Sequence, residues 1–228
     1  MAVRYDTLKK GPLKARSKTH AKAAVKHRDL EATRRQILLV AFETFFMHGF
    51  QGTSMDDLVK KTTLTKGAFY HQFPTKLALG YAVVDEVLTQ LILDRWITPL
   101  EAYKNPVEGI LTLMQRNIGD TPPALLRYGC PLNNLVQEMA PVDKGFGRRL
   151  AAALQMWISG LQKHLLRAQQ AGFIHPGVNT AEAAHFIVMA HEGFYGIIKG
   201  MNDVAVFPVL LASMQRYFDT ITTIHEQI

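Results

Sequence analysis

The sequence predicts an all-helical chain: a small three-helix head near the N-terminus and a larger helical bundle behind it. Three observations carry this. No segment of useful length alternates apolar and polar residues with period two. Apolar residues recur at spacings of three and four along most of the 228 residues. Capping residues, glycines and prolines punctuate those runs at helical lengths. A hydrophobic fraction of 48% is ample for a core, and 20% charged residues is ordinary for a soluble protein. No apolar run approaches the ~18 residues of a membrane span, and the first twenty residues lack the apolar stretch of a secretory signal. Cys130, the single cysteine, excludes an internal disulfide and fits a reducing cytoplasm.

Residues 1–29 form a basic arm. Nine cations (Arg4, Lys9, Lys10, Lys14, Arg16, Lys18, Lys22, Lys26 and Arg28) face only Asp6 and Asp29, which accounts for the entire net charge of +7. Such an arm either sets cations at phosphates, releasing condensed counterions, or remains a solvated tail that aids solubility.

The head spans residues 30–79. Its first helix, Leu30 to His48, carries an apolar stripe of Ile37, Leu38, Ala41, Phe42 and Phe45, and Gly49 stops it. Ser54 with Asp57, or Thr53 with Asp56, supplies a capping-box variant for a second helix running to about Lys61. Thr62-Thr63-Leu64 is long enough only for a turn. Thr65 caps a third helix, Lys66 to about Gln72, which Phe73-Pro74 ends because the residue before proline avoids helical backbone. Thr75 caps a fourth, long helix continuing to about Tyr103.

The third helix is unusual. Met55, Leu58, Val59, Leu64, Ala68 and Phe69 pack the unit, leaving Thr65, Lys66, Gly67, Tyr70 and His71 toward the open side. A helical glycine costs roughly 1 kcal/mol relative to alanine, which makes sense where backbone must approach a phosphate or base edge. A helix presenting polar groups in this way suits the major groove of DNA.

Residues 80–228 read as the body. Beyond the long helix, spans at 106–118, 131–140, 143–171, 180–200 and 205–225 are separated by Gly119 through Pro123, Pro141, Gly172 through Gly177, and Met201-Asn202-Asp203. Asn179 with Glu182 caps the penultimate helix. Gly193, Gly196 and Gly200 permit close backbone approach on one helix, and Val206, Leu210, Ser213, Met214, Tyr217 and Ile221 form a stripe on the last. Both features suit either a subunit interface or an intramolecular core. Trp96, Tyr103, Met114, Tyr128, Asn134, Trp157, His191 and Tyr195 suit either core packing or an apolar ligand cavity with a few polar groups. Tyr195 lies one turn beyond His191 and shares its face, while Glu192 is expected to point elsewhere.

The head resembles the TetR family of transcriptional regulators. The matching residues are Ala41, Phe42, Phe45, Gly49-Phe50, Thr53 through Leu58, Thr65 through Phe73, and Lys76, covering residues ~31–80 in the family's order. Where the family usually has Ala-Gly before the turn, this chain has Thr62-Thr63. The resemblance implies a helix-turn-helix head, a ligand-binding body and a homodimer joined through a four-helix bundle of the last two helices. It implies that Thr65, Lys66, Gly67, Ala68, Tyr70 and His71 face a double-stranded operator, with Thr53, Tyr70 and Lys76 on phosphates. Activator and repressor both stand open, with a repressor released by a small-molecule inducer the simpler default because blocking a promoter needs no partner surface; no metal, cofactor or catalytic residue is expected.

Cys130 sits at an expected helix start, Gly129-Cys130-Pro131-Leu132, with Pro131 at the first helical position. A helix N-terminus and nearby Arg127 both favour thiolate. The Gly-Cys-Pro-Leu run, with Glu138 and Gly145-Phe146 downstream, resembles a subgroup responding to acrylate or reactive electrophiles. Cys130 is therefore either a thiol sensor or a small buried cap. Two further functional classes stand as rivals. The nine histidines lack a metal-ligand spacing, and no phosphate loop or nucleophile elbow occurs, which leaves an enzyme without support. An architectural protein using the arm would bind every duplex alike.

Overall fold

The structure is a computed structural model that describes residues 18–223, with side chains from residue 30 onward. Helix α1, Lys18–His48, begins twelve residues before the expected start, so the last twelve residues of the basic arm are helical and the remainder lies outside the described residues. Its stripe is buried as expected, with Ile37 and Ala41 fully covered. Gly49, at φ +77°, closes the helix by donating its amide to the Phe45 carbonyl at 2.9 Å.

Helix α2, Met55–Lys60, and α3, Lys66–Gln72, complete the head. Ser54 accepts from the Asp57 amide at 3.1 Å and donates its hydroxyl to the Asp57 carboxylate at 2.5 Å. That hydroxyl is the main reason the Asp57 carboxyl lies below its ordinary pKa. The alternative cap is unused, because Asp56 pairs with Lys66 at 2.8 Å instead. Thr65 and Thr75 cap the following helices by accepting from Ala68 and Ala78. Thr62, standing where the family usually has a small residue, donates its hydroxyl to the Val59 carbonyl at 2.9 Å and so closes the turn.

The long fourth helix, α4, is one rod over 76–102 with a changing register. Regular turns at Lys76–Ala82 and Thr89–Ile92 alternate with π-helical turns at Val83–Leu88 and Leu93–Ile97, and Thr98–Ala102 is 3-10. Such widened turns are frequent at functional sites. The body continues with α5 (Pro106–Gly119), α6 (Pro123–Leu126), α7 (Pro131–Met139), α8 (Lys144–Gln170), α9 (Thr180–Met201) and α10 (Phe207–Ile221). Helix α6 falls where only a break was expected, because Pro122-Pro123 starts a short turn as well as ending the previous one. The segments after α8 and α10 meet in a single antiparallel bridge, Ile174 with Thr222. No helix among the described residues is long and apolar enough to cross a membrane.

Head and body share one core. Phe50, after α1, stacks edge-on against Phe146 of α8 at 4.8 Å, and Gly80 of α4 lies beneath both rings. Arg34 of α1 forms a two-pronged pair with Glu86 of α4 and lies 4.5 Å over the Phe73 ring.

Candidate nucleic-acid interface and ligand cavity

The exposed face of α3 consists of Thr65, Lys66, Gly67, Ala68 and His71, with Tyr70 half-buried beside them. Phe69, the single fully buried residue of α3, anchors it from behind. A Cβ on Gly67 would meet nothing within 4 Å, so the glycine leaves its backbone open to an approaching molecule rather than to the protein. Lys66 lies 5.7 Å over the Tyr70 ring and is held by Asp56, the main reason its pKa is raised.

Two expected phosphate contacts are placed differently. Thr53 is buried and donates its hydroxyl to the Gly49 carbonyl at 2.7 Å. Lys76 directs its ammonium to the carbonyls of Phe50 at 3.0 Å, Gln51 at 3.5 Å and Thr53 at 2.9 Å, and it also caps the Phe50 ring at 4.6 Å. An ammonium has three protons, and these carbonyls take them. Both residues shape the loop entering α2 instead of reaching outward. Sequence offered no signal for this, since a lysine at a helix start has the same composition in either role.

In the body, Trp96, Cys130, Trp157, His191 and Tyr195 come together around a cavity of about 90 Å³ that Leu88, Ile92, Leu132 and Asn117 also line. The π-helical turns of α4 supply Leu88, Arg95 and Trp96 of this lining. His191 is the hub: its ring lies 4.7 Å from Trp96, 4.8 Å from Trp157 and 4.8 Å from Tyr195. The indole N–H of Trp157 is buried without an acceptor among the described residues. Burial pushes the Tyr195 hydroxyl well above its ordinary range. Tyr128 and Asn134 line a neighbouring cleft beside Gly129 and Lys199, which shares Cys130 and Tyr195 with the cavity. Tyr103 and Met114 belong to neither: Met114 is core, and Tyr103 packs against Gly109 with its carbonyl accepting from Arg167. On its other side the cavity shares Leu91, Arg95, Asn117 and Asp120 with a cleft of about 670 Å³ between α1, α4 and α5.

Glu192 does not point elsewhere. Its carboxylate accepts from the Cys130 thiol at 3.3 Å and pairs with His191 Nδ1 at 3.2 Å. This overturns the expected thiolate. Burial first, and the Glu192 charge second, hold the Cys130 thiol well above its ordinary pKa, and Arg127 is turned to the Tyr128 hydroxyl at 3.0 Å instead. A neutral thiol is a poor nucleophile. Iodoacetamide at pH 8 is therefore expected to label Cys130 in the folded protein at least ~10-fold more slowly than in denaturant. Equal rates, followed by mass spectrometry, would restore the reactive-cysteine reading.

The last two helices leave an apolar outer face. Met189 is 63% exposed, Met201 61% and Val209 66%, and a Cβ on Gly193, Gly196 or Gly200 would meet nothing within 4 Å. The stripe expected to form this face points the other way in part: Met214 and Ile221 are buried, and Val206, Leu210 and Tyr217 are half-buried. Helix α10 has two apolar sides, and hydrophobicity alone does not say which one meets its own bundle.

Two family models match the chain: bacterial regulatory proteins of the tetR family over residues 37–83, and the tetracyclin repressor-like C-terminal domain over residues 107–213. An uncharacterized HTH-type transcriptional regulator of Lactococcus lactis subsp. lactis is 27% identical over 207 residues, covering 88% of this chain and 96% of that protein. The HTH-type transcriptional repressor DhaR of Mycobacterium sp. (strain GP1) is 21% identical, covering 70% of this chain and 79% of its own length. The fold matches a TetR-family regulator from Cytophaga hutchinsonii with a TM-score of 0.75 at 23% identity, over 86% of this chain and 97% of that one. With matched models at both head and body, and α3 exposed between buried anchors, this chain belongs to the TetR family of helix-turn-helix transcriptional regulators, DNA-binding proteins rather than enzymes.

Proposed function

We propose that the protein is a repressor that binds a palindromic operator as a homodimer and leaves it when a small molecule enters the aromatic cavity. The observation that carries this is the pairing of an outward α3 face with an aromatic-lined cavity on one continuous core. A dimer follows from the exposed apolar face of α9 and α10, which a four-helix bundle with a second copy would cover. Two heads so joined would read half-sites about one DNA turn or a multiple apart. Repression by occupying a promoter needs no additional partner surface, and DhaR, similar along most of its length, is a repressor.

The aromatic end of the site, about 90 Å³, takes only a small group, since one water-sized sphere occupies roughly 15 Å³, and the adjoining cleft of about 670 Å³ has room for the rest of a larger inducer. The unpaired Trp157 N–H favours a ligand that brings a hydrogen-bond acceptor, and the surrounding rings favour an apolar or unsaturated remainder. Binding can expel the protein from DNA only by favouring the DNA-incompetent arrangement of the heads.

Selection of bound fragments from genomic DNA tests the reading. A shared inverted repeat, retained at about 200 mM salt, is the expected outcome. Fragments without common sequence, bound equally well as any duplex, would reject a specific regulator. The basic arm is expected to add phosphate contacts: deleting residues 1–17 removes five of its cations and lowers the slope of log affinity against log salt by up to about 0.9 per lost contact. An unchanged slope would leave the arm a solubility tail.

A further inference from the structure

Helix α7 joins the two sites, and its two ends are tied differently. Its first turn belongs to the cavity, where Cys130, Pro131 and Leu132 form part of the lining. There it is bound to α9: Cys130 donates to Glu192, the Asn133 amide donates to the Glu192 carbonyl at 3.3 Å, and Lys199 donates to Asn134 at 2.9 Å. Its last turn reaches the head. The Glu138 carboxylate accepts from the Phe50 amide at 2.9 Å and from the Gln51 amide at 2.7 Å, one oxygen to each.

That loop is gripped from both sides. Glu138 takes its amides, while Lys76 of α4 takes its carbonyls. Ser54, three residues after Gln51, caps α2. A Cβ on Gly49 would sit 3.1 Å from a Glu138 oxygen, so a residue free to adopt φ +77° also leaves room for the carboxylate. The two amides are 88 and 87 residues from Glu138 in sequence. They form a fixed backbone fork that a carboxylate matches and a carboxamide does not, because its NH₂ would face an N–H donor. A nine-residue helix is a strut about 14 Å long.

We propose that Glu138 is the positioning residue through which the cavity and the DNA-reading head sense one another: displacement of α7 at Cys130–Leu132 moves the carboxylate that holds the Phe50 and Gln51 amides. This rests on the regulatory reading above. Coupling between two sites is reciprocal, so operator binding at the head must also alter the cavity. The chain has two tryptophans, Trp96 and Trp157, and both line that cavity, which gives a readout that needs no inducer.

The test is titration of dimeric full-length protein with a selected operator while tryptophan emission is followed. Operator is expected to shift or quench emission in the wild type. Glu138→Gln should still bind operator within about tenfold of wild type, a typical size for one coupling term, yet lose most of the emission change. Glu138→Asp, which keeps the charge, should restore part of it. A purely structural role would lower stability or affinity but leave the emission change per bound operator unaltered. Full-amplitude emission change in Glu138→Gln overturns the proposal, and so does a wild type whose emission ignores bound operator. Hydrogen exchange on the wild type covers the case in which the variants do not fold: operator should alter exchange in α7, and an unaltered α7 overturns the proposal. If no operator can be selected at all, it is the regulatory reading that fails.

Discussion

Phe69→Ala is expected to unfold the reading head and abolish operator binding while the body stays folded. Phe69 is fully buried and is the one buried side chain of α3, a helix of seven residues. So short a helix has little intrinsic stability, and its persistence comes from tertiary packing. Truncating a buried phenylalanine costs about 3–5 kcal/mol, a large share of the ~5–15 kcal/mol by which a whole protein is stable. Hydrogen exchange should show loss of protection across residues 54–73, with protection in α8 and α9 retained. Native-like exchange in α3, or unimpaired operator binding, would mean the helix is held by something other than Phe69.

Gly80→Val is expected to have the second-largest effect, and a different one. A Cβ at Gly80 would lie 2.5 Å from the Phe146 ring and 2.6 Å from the Phe50 ring, closer than real contacts permit. These rings are the seam between body and head, already interlocked at 4.8 Å, with Tyr81 against Phe146 at 5.1 Å and Phe45 against Phe50 at 5.1 Å. Overpacking of this kind costs about 1–3 kcal/mol or more when no flexible chain can yield. Because the strain falls between the two units, the head should tilt before either unit melts. Operator affinity is therefore expected to fall more steeply than melting temperature. A variant with lowered melting temperature and unchanged affinity would show that the seam tolerates the displacement.

The expected contacts of Lys76 and Thr53 illustrate where inference from residue type stops. Thr53 and Lys76 were expected on phosphates through the family resemblance, and each instead satisfies backbone carbonyls within its own head. Cys130 shows the same limit in the body. The helix start was legible from Pro131, but the sign of the thiol's shift depends on Glu192, 62 residues away, and on complete burial. Glu192 itself defeats a simple helical-face argument, because a carboxylate on a neighbouring face can swing back to reach a thiol and an imidazole at 3.2–3.3 Å.

What the sequence determined alone was the all-helical class, the order of head and body, most helix boundaries, and the polar outer face of α3. These follow from interactions within four residues along the chain: caps at Ser54, Thr65, Thr75 and Asn179, the stop at Gly49, and apolar spacing. The early start of α1, the register changes in α4 and the short α6 were not legible, because each depends on what packs beside it. Only the tertiary structure decided which aromatic residues enclose a cavity and which merely fill the core, which side of α10 faces outward, and where Glu138 and Lys76 place their charges. Partners 23 to 88 residues apart meet only when helices dock, and a half-buried charged group takes its role from those partners rather than from its neighbours in sequence.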